Sequence, residues 1–127
     1  MIYLDLEALL RILRRLFGRQ PAVRDYGLLD SALARPGATA FGRQVYDSVE
    51  LQAAALLDSL CRNHALLDGN KRLAWTATVV FLDLNGFDLV ADASDGYELV
   101  ISVADGRWGL DKSSAWIREH LRGLPPG

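Results

Sequence analysis

The sequence predicts a mainly α fold: a compact single domain over residues 1–127, built as a bundle of about six helices with one short extended flap. Three observations carry this expectation. Apolar residues recur at three- and four-residue steps through most of the chain. Glycine, asparagine and proline stops separate those runs. Strand-like patterning is confined to three short stretches, residues 2–4, 37–47 and 87–90.

Leu6, Leu9, Leu10, Leu13, Leu16 and Phe17 share one helical face, with Asp5 suited to cap its start and Gly18 to end it. Arg11, Arg14 and Arg15 fall off that face, as a solvated stripe or a seat for an acidic partner. RQPAVRDYG, residues 19–27, reads as a turn-rich loop. LLDSALARP then gives a short helix from Leu28, with Arg35 in the last turn, where a cation suits the dipole, and Pro36 as the stop. GATAFGRQVYD has no helical period; Phe41, Val45 and Tyr46 mark it as a hairpin or extended flap.

Ser48 caps the next helix. Ala53, Leu56, Leu57, Leu60, Cys61 and His64 follow one of its faces, so His64 is expected in its final turn, pointing inward. After Gly69, a helix from Lys71 to Leu84 is apolar nearly all round and belongs in the middle of the fold. Asn85-Gly86 stops it. Ser94 or Asp95 starts a further helix carrying Leu99, Val100 and Val103, and Asp111 caps a last one carrying Trp116, Ile117 and Leu121. Phe87 to Val90 is expected to pair with Ile2 to Leu4.

Composition excludes several classes. Lys and Arg number 14 against 16 Asp and Glu, a balance that gives no global attraction to nucleic acid or membrane. One cysteine, Cys61, excludes an intrachain disulfide framework and, with two histidines, disfavours a structural zinc site. Cys61 reads as a small buried hydrophobe. Acids interrupt the apolar N-terminus, and Asp83 and Asn85 break the longest apolar run too early for a membrane span. The expected location is the cytoplasm.

The chemistry concentrates in HALLDGNKR, residues 64–72. Lys71 and Arg72 stand where a helix begins, and cations there oppose the dipole. The free amides of that first turn, with a glycine-led bend, favour an anion, phosphate above all. Lys71 and Arg72 then meet phosphates, and Asn70 can donate its amide. Asp68 suits Mg²⁺, which bridges carboxylate and phosphates, and His64 suits a general base taking a proton from a hydroxyl. The set fits phosphoryl or nucleotidyl transfer. A Walker A loop is excluded by glycine spacing and by the absence of Ser or Thr after Lys71. Each residue alone has a bland reading: a common turn, a core histidine, snorkelling cations. All six within nine positions favour function. His120 reads as a surface residue.

His64, Asp68, Gly69, Asn70, Lys71 and Arg72 also resemble the motif of the Fic/Doc superfamily, and within it the Doc (death-on-curing) toxins. YGLLDSALARP, the Tyr46 region, AAALLDSLCRNH and FLDLNG extend the resemblance over roughly residues 3–122. It implies a kinase that uses ATP and Mg²⁺ to phosphorylate a threonine of elongation factor Tu, arresting translation, neutralised by a Phd-type antitoxin. His64 is then the base, Asp68 the metal ligand, and Gly69, Asn70, Lys71 and Arg72 the phosphate cradle. Phe41, Val45 and Tyr46 lie in the flap that receives the target as an added strand. AMP-transferring relatives carry glycine at the place of Lys71 and a second arginine at that of Trp75; an AMP-transferase is therefore the second reading, and a non-catalytic binding module the third. The chain departs from the usual pattern at Asp47, Ala65, Leu66 and Leu73.

Overall fold

The computed structural model describes residues 1–19 and 22–125. Six helices are present among them: α1 (Leu6–Phe17), α2 (Tyr26–Ala34), α3 (Val49–Arg62), α4 (Asn70–Leu84), α5 (Ala93–Ala104) and α6 (Leu110–His120). A single 3₁₀ turn, Arg35–Gly37, follows α2. Two antiparallel ribbons complete the fold. β1 (Thr39–Ala40) pairs with β2 (Arg43–Gln44), and β3 (Phe87–Leu89) with β4 (Leu121–Gly123).

The mainly α expectation holds, and α4 lies at the centre as its all-round apolar surface requires. It packs on α1, α3, α5 and β3, burying Leu73, Ala74, Ala77, Phe81 and Leu82. Burying a Leu or Phe side chain contributes about 1.5–3 kcal/mol each. Thr78, also buried, returns its hydroxyl to the Ala74 carbonyl at 2.7 Å, which removes the penalty of a lone polar group. α3 is the second core helix, with Ala53, Leu56, Leu57 and Leu60 at most 1% exposed.

Caps explain most helix starts. Asp5 and Ser48 accept from the Ala8 and Leu51 amides, as their positions predict. Elsewhere the structure corrects the expectation. α2 starts two residues before Leu28, because Asp25 caps it through the Gly27 and Leu28 amides. Asp92, rather than Ser94 or Asp95, caps α5; Asp95 falls in its first turn, where its charge suits the dipole. α6 starts after Gly109, and Asp111 lies in its first turn. Gln20 and Pro21 of the expected turn-rich loop lie outside the described residues.

Two further corrections have clear causes. Phe87–Leu89 pairs with Leu121–Gly123, not with Ile2–Leu4. The Asn85 side chain takes up the N-terminal segment instead, accepting from the Ile2 amide at 2.7 Å and donating to the Ile2 and Phe81 carbonyls at 2.8 Å each. Leu121 is therefore a strand residue. His120 is half-buried rather than a free surface residue: its ring stacks on Trp116, centroids 3.8 Å apart, and Nδ1 lies 2.7 Å from the Trp116 carbonyl. Among the described residues no helix is long and apolar enough to cross a membrane.

The segment 37–47 is a hairpin. Its two-residue loop, Phe41-Gly42, has φ of +53° and +77°, the signs that a type I′ turn needs. Glycine takes this conformation readily; Phe41 does so under strain, and its ring is fully exposed.

Candidate active site

α3 stops at Arg62, with Asn63 as its last cap. His64 lies beyond the helix, not in its final turn, and is exposed rather than inward-pointing. Its φ of +54° is left-handed, and this turns the chain out of the helical path. The next residues fold back into the core: Ala65 and Leu66 are 1% and 2% exposed. Leu67 and Asp68 are exposed again, and Gly69 (φ +89°) opens α4.

Two side chains lock this turn from within. Asn70 Oδ1 accepts from the Leu66 amide and Asn70 Nδ2 donates to the Leu66 carbonyl, both at 3.0 Å. The amide expected to reach a phosphate thus gives one of its two N–H groups to the loop. Asp68 Oδ1 accepts from the Gly69 amide at 2.9 Å, leaving Oδ2 to face outward ligands.

The head of α4 is electrostatically unbalanced. Its first intrahelical bond runs from the Leu73 amide to the Gly69 carbonyl at 3.0 Å. No side chain caps it and no acid stands in its first turn. Lys71 and Arg72 are both exposed there. The uncapped amides, the dipole and two cations all favour an anion.

His64, Asp68, Gly69, Asn70 and Lys71 line one cleft of about 380 Å³, so the structure brings these candidates together. Arg72 lies on its far side, in a more apolar pocket of about 550 Å³ that shares Lys71 and Ile101 with the cleft and is walled by Trp75 and Tyr97. Phe41, Val45 and Tyr46 are not in the cleft wall. They belong to the hairpin, whose foot is tied to α3. Arg35 Nε donates to the Tyr46 hydroxyl at 2.9 Å, while Nη1 reaches Asp58 at 2.8 Å and Ser59 at 3.0 Å. Burial of Arg35 lowers its pKa, but Asp58 and Tyr46 outweigh that and hold it above the ordinary value. Tyr46 is thus an anchor, while Phe41 and Val45 are exposed apolar residues of the hairpin.

Three contributors escaped sequence reasoning. Phe17, at the end of α1, carries the Arg72 guanidinium over its ring at 4.9 Å and lies against Gly69. It supplies an aromatic platform under the turn, where the chain has Leu66 in place of the usual phenylalanine. Arg24 reaches the His64 carbonyl through two nitrogens. Asp105 closes the cleft from the end of α5, with its carboxylate 2.9 Å from Arg107. None lies near the motif in sequence, and only the helical stripe that includes Phe17 hinted at any of them.

Among the described residues, no three His, Cys, Asp or Glu side chains converge to hold a metal. The chain offers the Asp68 carboxylate, the donor type of a Mg²⁺ shared with substrate phosphates rather than caged by protein.

Cys61 also lines the cleft, but burial pushes its thiol up to about 12, so it is protonated and inert as a nucleophile near neutral pH. Two results are expected. Alkylation of the native protein at pH 8 should be far slower than that of the unfolded chain, measured by mass spectrometry with iodoacetamide. Because the folded pKa is the higher one, the associated stability is present below pH 9 and is lost as pH rises towards 12; melting temperature should fall over that range, and less so in Cys61→Ala.

A helical domain organised around one turn at the head of its central helix, with histidine, acid, Gly-Asn and arginine in that turn, defines the class. The chain belongs to the Fic/DOC family, whose model matches residues 3–82. It is 56% identical over 115 residues to a protein of Mycolicibacterium smegmatis called Toxin Doc, covering 89% of this chain and 88% of that one. It is 31% identical over 98 residues to the Protein kinase doc of Escherichia phage P1, covering 70% of this chain and 77% of that one.

Proposed function

We propose that this chain is the toxin of a toxin–antitoxin pair and acts as a protein kinase, transferring the γ-phosphate of ATP to a hydroxyl of a translation factor. The acceptor we infer is a threonine of elongation factor Tu, so that transfer arrests translation. The observation that carries the reading is the convergence of His64, Asp68 and Lys71 on one cleft at the uncapped head of α4. The names of the two relatives, a toxin and a protein kinase, support it.

In this reading His64 takes the hydroxyl proton as the oxygen bonds to the γ-phosphorus. The bond from that phosphorus to the β–γ bridging oxygen breaks, and ADP leaves. Lys71, Arg72 and the amides of residues 70–72 hold the phosphates before and after transfer. Asp68 would hold a Mg²⁺, which when bound would neutralise the charge that builds on the phosphates. Phe41 and Val45 meet the target's chain as it joins the hairpin edge. A Phd-type antitoxin, we infer, docks a helix in the apolar groove between α1 and α4, where Ile12, Leu16 and Val80 form the floor and Arg11 and Arg15 the rim. Arg14 is exposed beside them on the same helix.

AMP transfer is the weaker reading. Trp75 stands where AMP-transferring relatives have a second arginine, and it packs edge-on against Trp116 and beside Gly96, so an apolar ring occupies that position. Incubation with elongation factor Tu and ATP labelled at one phosphate tests the assignment. Label should reach the target from γ-labelled and not from α-labelled ATP; transfer of the α label alone would mean AMP transfer.

A further inference from the structure

We propose that Arg24 is the positioning residue for His64: its guanidinium holds the left-handed turn that points the imidazole into the cleft. The inference rests on the reading of His64 as the base.

Arg24 Nε and Nη2 both donate to the His64 carbonyl, at 2.9 and 2.6 Å. A cation giving two bonds to one carbonyl makes a strong, directional contact. The backbone around Arg24 continues the grip. The Arg24 and Asp25 amides donate to the Ala65 carbonyl at 2.8 and 3.2 Å, and the Leu67 amide donates to the Ala22 carbonyl at 3.2 Å. Val23 and Leu66 are bridge partners. Asp25 in turn caps α2, so residues 22–25 form a splint fixed to one helix and laid along the turn that joins two others.

The splint matters because His64 has an easier alternative. Asn63 is still right-handed (φ −86°), and right-handed backbone at His64 would continue α3 and swing the imidazole round the helix axis. Left-handed backbone is unfavourable for any residue with a Cβ and persists only when its surroundings fix it. The Ala65 and Leu67 bonds fix the residues after His64, and among the described residues Arg24 alone grips the His64 carbonyl with its side chain. Arg24 is exposed, so its charge is not there to fill the core.

Arg24→Ala and Arg24→Lys in the full chain test this. In Arg24→Ala, kcat should fall about 10- to 100-fold, the scale of a misplaced catalytic group, with KM for ATP and melting temperature near wild type. Arg24→Lys, which keeps one donor, should recover part of kcat. Independently of activity, the His64 Cα and Cβ chemical shifts should show left-handed backbone in wild type and lose that signature in Arg24→Ala. Wild-type kcat together with unchanged shifts in Arg24→Ala would overturn the proposal, as would a joint fall of kcat and melting temperature that leaves the shifts unchanged. If Arg24→Ala does not fold, Arg24→Lys decides by the same shifts: left-handed signals indistinguishable from wild type beside a kcat loss would overturn it. Should wild type transfer no phosphate at all, the kinase reading fails, while the shifts still report whether Arg24 sets the turn.

Discussion

Replacing His64 by asparagine should lower phosphate transfer by about 10²- to 10⁴-fold, the usual loss when a general base is removed. Growth arrest on expression should disappear with it. Asparagine is the informative substitution here. His64 is exposed and left-handed, and asparagine tolerates that backbone better than alanine, so the turn survives while the base goes. His64→Ala should lose as much activity with a slightly lower melting temperature. Binding of ATP should be nearly unchanged in both, because the phosphates are met from Gly69 onward. A His64→Asn protein that transfers phosphate at the wild-type rate would remove the histidine from the chemistry. The exposed position already argues against a packing role.

The wall of the cleft from His64 to Lys71 was legible because its residues lie close together in sequence. Once a helix is expected to start near Lys71, the amides, the dipole and the two cations follow without further information. The helices were legible for the same local reason: spacing and stops such as Gly18 and Asn85-Gly86 fix most of their extents, although α2 ends at Ala34, and Arg35 and Pro36, expected as its last turn and stop, fall in the 3₁₀ turn that follows. What was hidden depends on residues remote in the chain. Spacing alone carried α3 on to His64, whereas the helix ends at Arg62 and a guanidinium 40 residues earlier holds the turn. Asn85 read correctly as a helix stop, but its grip on Ile2, which leaves β3 to pair with Leu121–Gly123, has no local signature. Ser94 and Asp95 both read as starts of α5 and Asp92 was missed; the earlier cap places Asp95 in the first turn, where its charge lies near the positive end of the dipole. Phe17 was legible as a core residue of α1, yet its second use, as a floor for Gly69 and Arg72, needed the packing of α1 on α4.

That floor makes Gly69→Ala the second large effect. Gly69 has φ +89°, where a Cβ costs about 1–2 kcal/mol. A Cβ built there would also overlap the edge of the Phe17 ring, with Cε1 at 2.9 Å and Cζ nearer still. Overpacking adds about 1–3 kcal/mol. The ring cannot retreat without dropping the Arg72 guanidinium that lies over it, so strain at Gly69 becomes disorder in the cradle. Gly69→Ala should therefore lower the melting temperature by roughly 10 °C. It should also remove most of the stabilisation that phosphate or ATP gives to the wild-type protein in a thermal-shift titration, because a ligand stabilises only a fold that binds it. Phe17→Leu separates the two causes. Alone it should weaken the ligand-induced shift by loosening Arg72. Combined with Gly69→Ala it should relieve the overlap and leave only the backbone cost, so the double variant should melt above the value expected by adding the two single losses. Strict additivity would place the cause in the glycine's conformation alone and would deny Phe17 its part in holding the turn. A Gly69→Ala protein with wild-type melting temperature and ligand response would show that neither the left-handed backbone nor the contact with Phe17 is needed to shape the head of α4.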